Sequence, residues 1–204
     1  VAAAVTIIDV RTRQTTAVRL TNGASGLRGI CVSSDGKYAY VTHTLARYEL
    51  PTIQVGYGWM NANALSVIDI KRKKLIGSVL LDDMYLGAAN PWAVACSADG
   101  KWLCVSHAGT HELSVIDAPA LLTKLLAMPV NPDPSQIGEV VYDDRNKELD
   151  YFRRLRARLK GTEENSGELY TLGSVAGVSN DLTFLVGIRR RIKLKGKGPR
   201  GIAI

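Results

Sequence analysis

Two stretches of the sequence, GLRGICVSSDGKYAYVTH at residues 26–43 and NPWAVACSADGKWLCVSH at residues 90–107, align without a gap. Each contains an apolar strand, a Ser-x-Asp-Gly-Lys turn, a second apolar strand and a final histidine. The aspartate can accept a hydrogen bond from the backbone two residues on, and the glycine can adopt the positive φ that closes a tight hairpin. The two stretches therefore predict two copies of one β-hairpin.

The repeat continues beyond the hairpins. A third strand follows each of them, as NALSVIDI at 63–70 and HELSVIDA at 111–118, and VTIIDV at 5–10 is a further copy. A fourth short strand recurs as TTAVRL, LIGSVLL and RRIKL at 15–20, 75–81 and 190–194. Four-stranded antiparallel units that repeat along a chain are the blades of a β-propeller. The sequence thus predicts an all-β fold, a partial β-propeller of four-stranded antiparallel blades with a helical insertion.

Residues 1–204 are predicted to form a single propeller fragment. Its blade pieces are expected at 5–20, 27–81, 91–118 together with 189–194, and 199–204. Closed propellers have about four to eight blades, and these pieces make about three. We therefore expect further blades outside this sequence, or a second copy whose strands pair with the open sheet edges.

The repeat has a recognisable resemblance. SSDGKYAYVTH, SADGKWLCVSH and LSVID resemble the YVTN-type β-propeller repeats of bacterial extracytoplasmic proteins. The stretch VTHTLARYELPTIQVGYGWMNANALSVIDI, with GTHELSVID, is similar to propellers associated with di-haem peroxidase-like cytochromes. The resemblance implies a periplasmic or cell-surface location. The haem-attachment motif Cys-x-x-Cys-His is absent from this sequence, so the electron-transfer activity of such relatives does not carry over.

Composition and charge exclude several classes of protein. The chain is 46% hydrophobic and 22% charged, which is ordinary for a globular protein. No apolar run approaches the roughly 18 residues that a membrane helix needs, so no membrane span is predicted. The net charge of +7 comes from two local basic segments, 145–161 and 189–200. Because the rest of the chain is balanced, nucleic acid is not the expected partner.

Blade scaffolds are generic, so the insertions are the first place to seek a binding surface. The connection at 44–62 is far longer than its counterpart at 108–110. Its amphipathic side chains suited to a protein partner or a small polar ligand are Arg47, Tyr48, Tyr57, Trp59 and Asn61. The alternative is a loop that folds over its own face, with Tyr48 and Trp59 packed against the next blade.

A second insertion is expected at 119–187. A proline followed by a leucine-rich run predicts a short helix at 119–126. A second helix is predicted at 143–161, with an apolar face that packs on the propeller and arginines in water. Docking of a phosphate group or a partner on those arginines is the alternative.

His43 and His107 occupy equivalent positions, each at the end of a second strand. With further blades, a ring of imidazoles could hold a metal or contact a haem edge at the channel mouth. The alternative is structural, with each histidine bonded to the loop that follows it, 44–62 for His43 and 108–111 for His107. The sequence favours the structural interpretation, and it predicts no cofactor.

Arg28 and Arg200 form another equivalent pair, at the start of a first strand, and Trp92 occupies the same position in the repeat between them. Inner-strand arginines could gather an anion in the channel. Hydrogen bonding between blades is the other interpretation. It is favoured because the first strand is crowded and its polar groups need hydrogen-bond partners.

The sequence contains no nucleophile–base constellation, Walker loop or His-Glu-x-x-His motif, and no catalytic residue is proposed. The leading hypothesis is a non-catalytic extracytoplasmic propeller whose loops on one face bind a protein partner. The runner-up is a redox accessory domain that docks a c-type cytochrome or carries a channel-centred metal site. A lactonase-like enzyme is a weaker third alternative.

Overall fold

The computed structural model describes residues 2–46, 61–128 and 181–204. The described strands form three antiparallel sheets, which represent one strand pair and two blades. The strand pair consists of β1 (Ala4–Ile8) and β2 (Thr15–Arg19). The strands of the first blade are β3 (Ala24–Ser25), β4 (Ile30–Val32), β5 (Tyr38–Ala46), β6 (Asn61–Asp69) and β7 (Lys74–Leu80). The strands of the second are β8 (Pro91–Cys96), β9 (Trp102–His107), β10 (Glu112–Asp117) and β11 (Arg189–Lys193).

Each blade runs from strand A to strand D. In blade 1, β3 and β4 both pair with β5 and together make strand A, while β5, β6 and β7 are strands B, C and D. In blade 2, the strands β8 to β11 are A to D in order. The curled antiparallel sheets confirm the predicted fold class, a partial β-propeller of four-stranded blades. Residues 199–204 contain no strand, although the repeat predicts one there. A strand A pairs with the strand B that follows it, and the described residues contain no strand after β11.

The hairpin turns behave as their sequence predicts. Asp35 Oδ1 accepts from Lys37 N at 3.1 Å, and Asp99 Oδ1 accepts from Lys101 N at 3.0 Å. The glycines after these aspartates have φ values of 71° and 72°. The Asx turn and the left-handed glycine are therefore confirmed in both copies.

Apolar side chains fill the spaces between successive sheets. One cluster joins the β1–β2 pair to blade 1 and includes Val18, Val41 and Ile68. A second cluster joins blade 1 to blade 2 and includes Leu65 and Leu103, both fully buried. Alternate residues of each strand supply these clusters, as expected for sheets that stack face to face.

The short helix predicted at 119–126 is confirmed as α1 (Ala118–Leu126). It begins where Asp117 Oδ1 accepts from Ala120 N at 2.9 Å, an N-cap bond. Leu121 and Leu125 are fully buried in the inter-blade cluster. The helix predicted at 143–161 lies outside the described residues. Nowhere in the described ranges is a helix long and apolar enough to cross a membrane.

Candidate functional site

The described D–A connection at 82–90 and the B–C connection at 108–111 lie at one end of the blades and form what we call the loop face. In blade 2, Gly109 N donates to Ala89 O at 2.9 Å, so a B–C loop rests on the preceding D–A loop. On the other side of this B–C loop, Lys193 Nζ of β11 donates to Thr110 O at 2.7 Å. The loops thus form a continuous surface that crosses from blade 1 to blade 2.

The D–A loop at 82–90 is held from the blade 1 side by a buried carboxylate. Asp82 is 5% exposed, and its oxygens accept from Asn63 N at 2.7 Å and from Asn63 Nδ2 at 2.8 Å. The same carboxylate accepts from Ala88 N at 2.7 Å. Three charge-assisted hydrogen bonds therefore fix both ends of the loop to strand C.

From the blade 2 side, two arginines of β11 hold the same loop. Arg189 forms an ion pair with Asp83 and a hydrogen bond to Leu81 O. Arg191 donates to Asp83 Oδ2 at 2.9 Å and forms an ion pair with Glu112. Burial, followed by the charge of Arg191, lowers the pKa of Arg189 to about 10, so this guanidinium is still charged at neutral pH.

The middle of the loop displays apolar side chains to solvent. Met84, Tyr85 and Leu86 are 50%, 93% and 53% exposed, and we call them the apolar tip. Arg191 fixes the backbone beneath them, since it donates to Leu86 O at 2.9 Å and to Gly87 O at 2.7 Å. Methionine and tyrosine are enriched where proteins bind one another. The backbone of the loop is therefore fixed, and it displays the apolar tip as a surface suited to contact another protein.

His43 is fully buried and belongs to a chain of hydrogen bonds. Its Nδ1 lies 2.9 Å from Thr44 O, which can only accept, so Nδ1 carries the proton. Its Nε2 then accepts from Ser66 Oγ at 2.8 Å. The chain continues from Ser66 to Ser78 at 2.6 Å and from Ser78 to Thr21 at 2.7 Å. Each hydroxyl consequently donates toward the imidazole, and the chain of hydrogen bonds ties the loop after β2 to blade 1.

His107 has the same role in blade 2, with one difference. Its Nε2 lies 2.8 Å from Ser114 Oγ, but its Nδ1 lies 3.0 Å from Ala88 O. The partner thus precedes the histidine in the chain, whereas the sequence pointed to the loop at 108–111. The partner differs because the 82–90 loop crosses over strand B of blade 2 and places Ala88 O beside His107. In the described part of the chain, no three His, Cys, Asp or Glu side chains converge as metal ligands.

The protonation of His107 predicts a pH dependence of stability. Burial and then the charge of Arg191 lower the pKa of His107 to about 4. The unfolded chain takes up a proton near the usual value of 6.5, so acid favours unfolding. Between pH 7 and pH 5 we expect this group alone to cost about 2 kcal/mol. Chemical denaturation at both pH values, compared with His107→Gln, measures the difference. Equal pH dependence in the two proteins would contradict the prediction.

The structure brings Arg28, Trp92 and Arg200 together. The guanidinium carbon of Arg28 lies 4.0 Å from the centroid of the Trp92 ring, and that of Arg200 lies 4.7 Å from the same centroid. These are cation–π contacts. Both arginines thus stack on a shared indole, and among the described residues neither guanidinium makes the hydrogen bond between blades that the sequence favoured.

The other predicted binding residues lie in or beside the 44–62 loop. Arg47, Tyr48, Tyr57 and Trp59 lie outside the described residues, and their roles stay predictions. Asn61 is exposed at the start of β6, opposite Ala46. The apolar tip was missed by the sequence reasoning because it lies in a D–A loop of ordinary length. Three consecutive apolar residues after two aspartates were the available signal.

Comparisons with known proteins extend these observations. No family model matches the chain. Hydrazine synthase subunit beta of Kuenenia stuttgartiensis is 27% identical over 149 residues, which cover 73% of this chain and 34% of that protein. The chain thus spans about a third of the length of this curated relative.

One solved structure supports the fold, and a second is a weaker match. The structure of Kuenenia stuttgartiensis hydrazine synthase matches with a TM-score of 0.53 and 24% identity, over 74% of this chain and 38% of that one. This likeness supports the β-propeller fold. Apo AztD from Citrobacter koseri matches with a TM-score of 0.40 and 16% identity, over 58% of this chain and 27% of its own.

Proposed function

We propose that this protein is a non-catalytic β-propeller subunit that binds a protein partner through its loop face. The observation that supports the proposal most directly is the rigid display of the apolar tip. An exposed tyrosine between methionine and leucine costs little entropy to bury when its backbone is already fixed. The ion pairs that hold the 82–90 loop join residues of two blades. A solvent-exposed loop needs no such support for folding alone.

The similarity to hydrazine synthase subunit beta supports the same proposal. That relative is named as a subunit, and therefore as part of an assembly. The proposal also includes a periplasmic or cell-surface location, in line with the repeat resemblance. Osmotic-shock fractionation of the native cells tests the location, and recovery with cytoplasmic markers would contradict it.

The redox alternative divides into two parts. The histidines give a channel-centred metal site no support, because both ring nitrogens of His43 and His107 already have partners. Docking of a c-type cytochrome on the loop face stays compatible with the surface chemistry. The identity of the partner separates this alternative from a partner without haem.

The test uses the full-length protein purified with its partner from native cells. The partner is identified by mass spectrometry, and its visible spectrum shows whether it carries haem. We expect the triple variant Met84→Ser, Tyr85→Ser, Leu86→Ser to bind the purified partner at least about tenfold more weakly, with a nearly unchanged melting temperature. Three exposed side chains contribute little to folding, so the loss would reflect contact.

The matched control is Val186→Ser. Val186 is 68% exposed but lies in the C–D connection of blade 2, at the opposite end of the blade. We expect wild-type affinity for this variant. If the apolar-tip variant also retains wild-type affinity, the partner does not bind here and the proposal is wrong.

A further inference from the structure

Three successive units of the repeat place one residue at the same position, in the sequences LRGI, PWAV and PRGI. These residues are Arg28, Trp92 and Arg200, and the side chains of both arginines meet the indole ring of Trp92. Both guanidinium carbons lie within 4.7 Å of one ring centroid. Their separation is therefore at most about 9 Å, close enough for one small molecule to contact both.

The backbone beneath this group is fixed by inter-blade contacts. Thr42 Oγ1 donates to Trp92 O at 2.9 Å and accepts from Gly29 N at 2.9 Å. A Cβ on Gly29 would lie 2.4 Å from Trp92 O, so strand A of blade 1 approaches the next strand A as closely as a glycine allows. Arg28 is consequently held next to Trp92 by its own neighbour in the chain.

Within the described part of the chain, the charges of this group are uncompensated. The described residues offer no ion pair and no side-chain hydrogen bond to Arg28 or Arg200, and both side chains are exposed. Arg189 and Arg191 differ, since each is neutralised by Asp83 or Glu112. A guanidinium that stacks on an indole leaves the N–H groups at its edge free to donate. Two such cations repel each other until an anion lies between them.

We propose that Arg28, Trp92 and Arg200 form a binding site for a dianionic carboxylate ligand. The two charges of the ligand match the two uncompensated guanidiniums, and each carboxylate group can accept two N–H bonds from one of them. The indole holds both cations in place and so reduces the entropy that binding would otherwise cost. The carboxylates belong either to a free dicarboxylic acid or to adjacent acidic side chains of a protein. The site does not depend on the apolar tip.

Succinate is the probe for the free acid, and an Asp-Glu dipeptide with blocked ends is the probe for a protein segment. Isothermal titration calorimetry gives the affinities, and the indole N–H resonance of Trp92 reports binding at the site. We expect at least one probe to bind, and the double variant Arg28→Gln, Arg200→Gln to weaken that binding at least about tenfold. Acetate, with one charge, should bind at least about tenfold more weakly than the dianion.

Arg190→Gln is the control, because it removes an exposed arginine from the same basic segment without touching Trp92. It should retain wild-type affinity. Binding of succinate alone identifies a free acid as the ligand class, and binding of the dipeptide alone identifies a protein segment. Equal affinity of both probes for the wild type and the double variant would overturn the proposal. Acetate binding as tight as succinate binding would overturn the dianionic class.

Discussion

Replacement of Arg191 by methionine is expected to lower the free energy of unfolding by about 3 to 5 kcal/mol. The side chain is 10% exposed and neutralises Glu112, which is 8% exposed as a residue. Burial alone would raise the pKa of Glu112, but the hydrogen bond and charge of Arg191 hold it below its usual value. Without Arg191, the cation that remains beside Glu112 among the described residues is Lys193, whose Nζ lies 4.0 Å from Glu112 Oε1. Urea denaturation at pH 7 measures the loss.

The neighbouring Arg190 provides the control for this prediction. It is exposed on the other face of β11, so Arg190→Met should change the stability by less than about 0.5 kcal/mol. The double variant Arg191→Met, Glu112→Met removes both members of the pair and should recover part of the loss. Similar stabilities for Arg191→Met and Arg190→Met would show that the network contributes nothing to folding.

Substitution of Gly29 by alanine is expected to destabilise the protein by about 3 kcal/mol. The new Cβ would lie 2.4 Å from Trp92 O and 3.0 Å from Val94 N, both backbone atoms of the next blade. Backbone atoms cannot rotate away as a flexible side chain can, so the two blades must separate. The bond from Thr42 Oγ1 to Trp92 O would lengthen in consequence. Thermal and urea unfolding measure the effect.

Gly201 holds the equivalent position in the repeat and supplies the matched control. Among the described residues, a Cβ at Gly201 meets nothing within 4 Å, and its φ is not in the left-handed region. In the 204-residue chain, Gly201→Ala should therefore leave stability within about 0.5 kcal/mol of the unsubstituted chain. If Gly29→Ala and Gly201→Ala behave alike, close approach of the strands is not what the glycine provides.

The blade architecture could be predicted from sequence because its signals are local. The turn aspartates, the glycines with positive φ and the alternation of apolar residues all act within one hairpin. Proline and a leucine-rich run predicted α1 for the same reason. Residues 199–204, where the repeat predicts a strand, contain none, and the described residues include no following strand that could pair with them.

The candidate site was much harder to predict. The repeat placed Arg28, Trp92 and Arg200 at one position, but the stacking of two cations on one ring depends on how closely the blades pack. The bonds that Arg189 and Arg191 make to the 82–90 loop depend on the register between strands that are far apart in the sequence. Ser66 faces Ser78 in blade 1, whereas the equivalent Ser114 faces Arg191 in blade 2. Arginine in place of serine at this position of strand D exchanges a chain of hydrogen-bonded hydroxyls for ion pairs and hydrogen bonds to the 82–90 loop.

The contacts of Arg189 and Arg191 with the 82–90 loop make the two blades unequal as evolutionary building blocks. The 82–90 loop belongs to blade 1 in the chain, yet Arg189 and Arg191 of blade 2 hold its backbone and its carboxylate. A copy of blade 1 placed elsewhere in a propeller would keep the loop and lose the arginines. Duplication or circular permutation at this junction would keep the hydrogen bonds of Asp82 and remove the second support of the displayed surface. Selection on binding would therefore preserve the order of these two repeats, even where their strands are interchangeable.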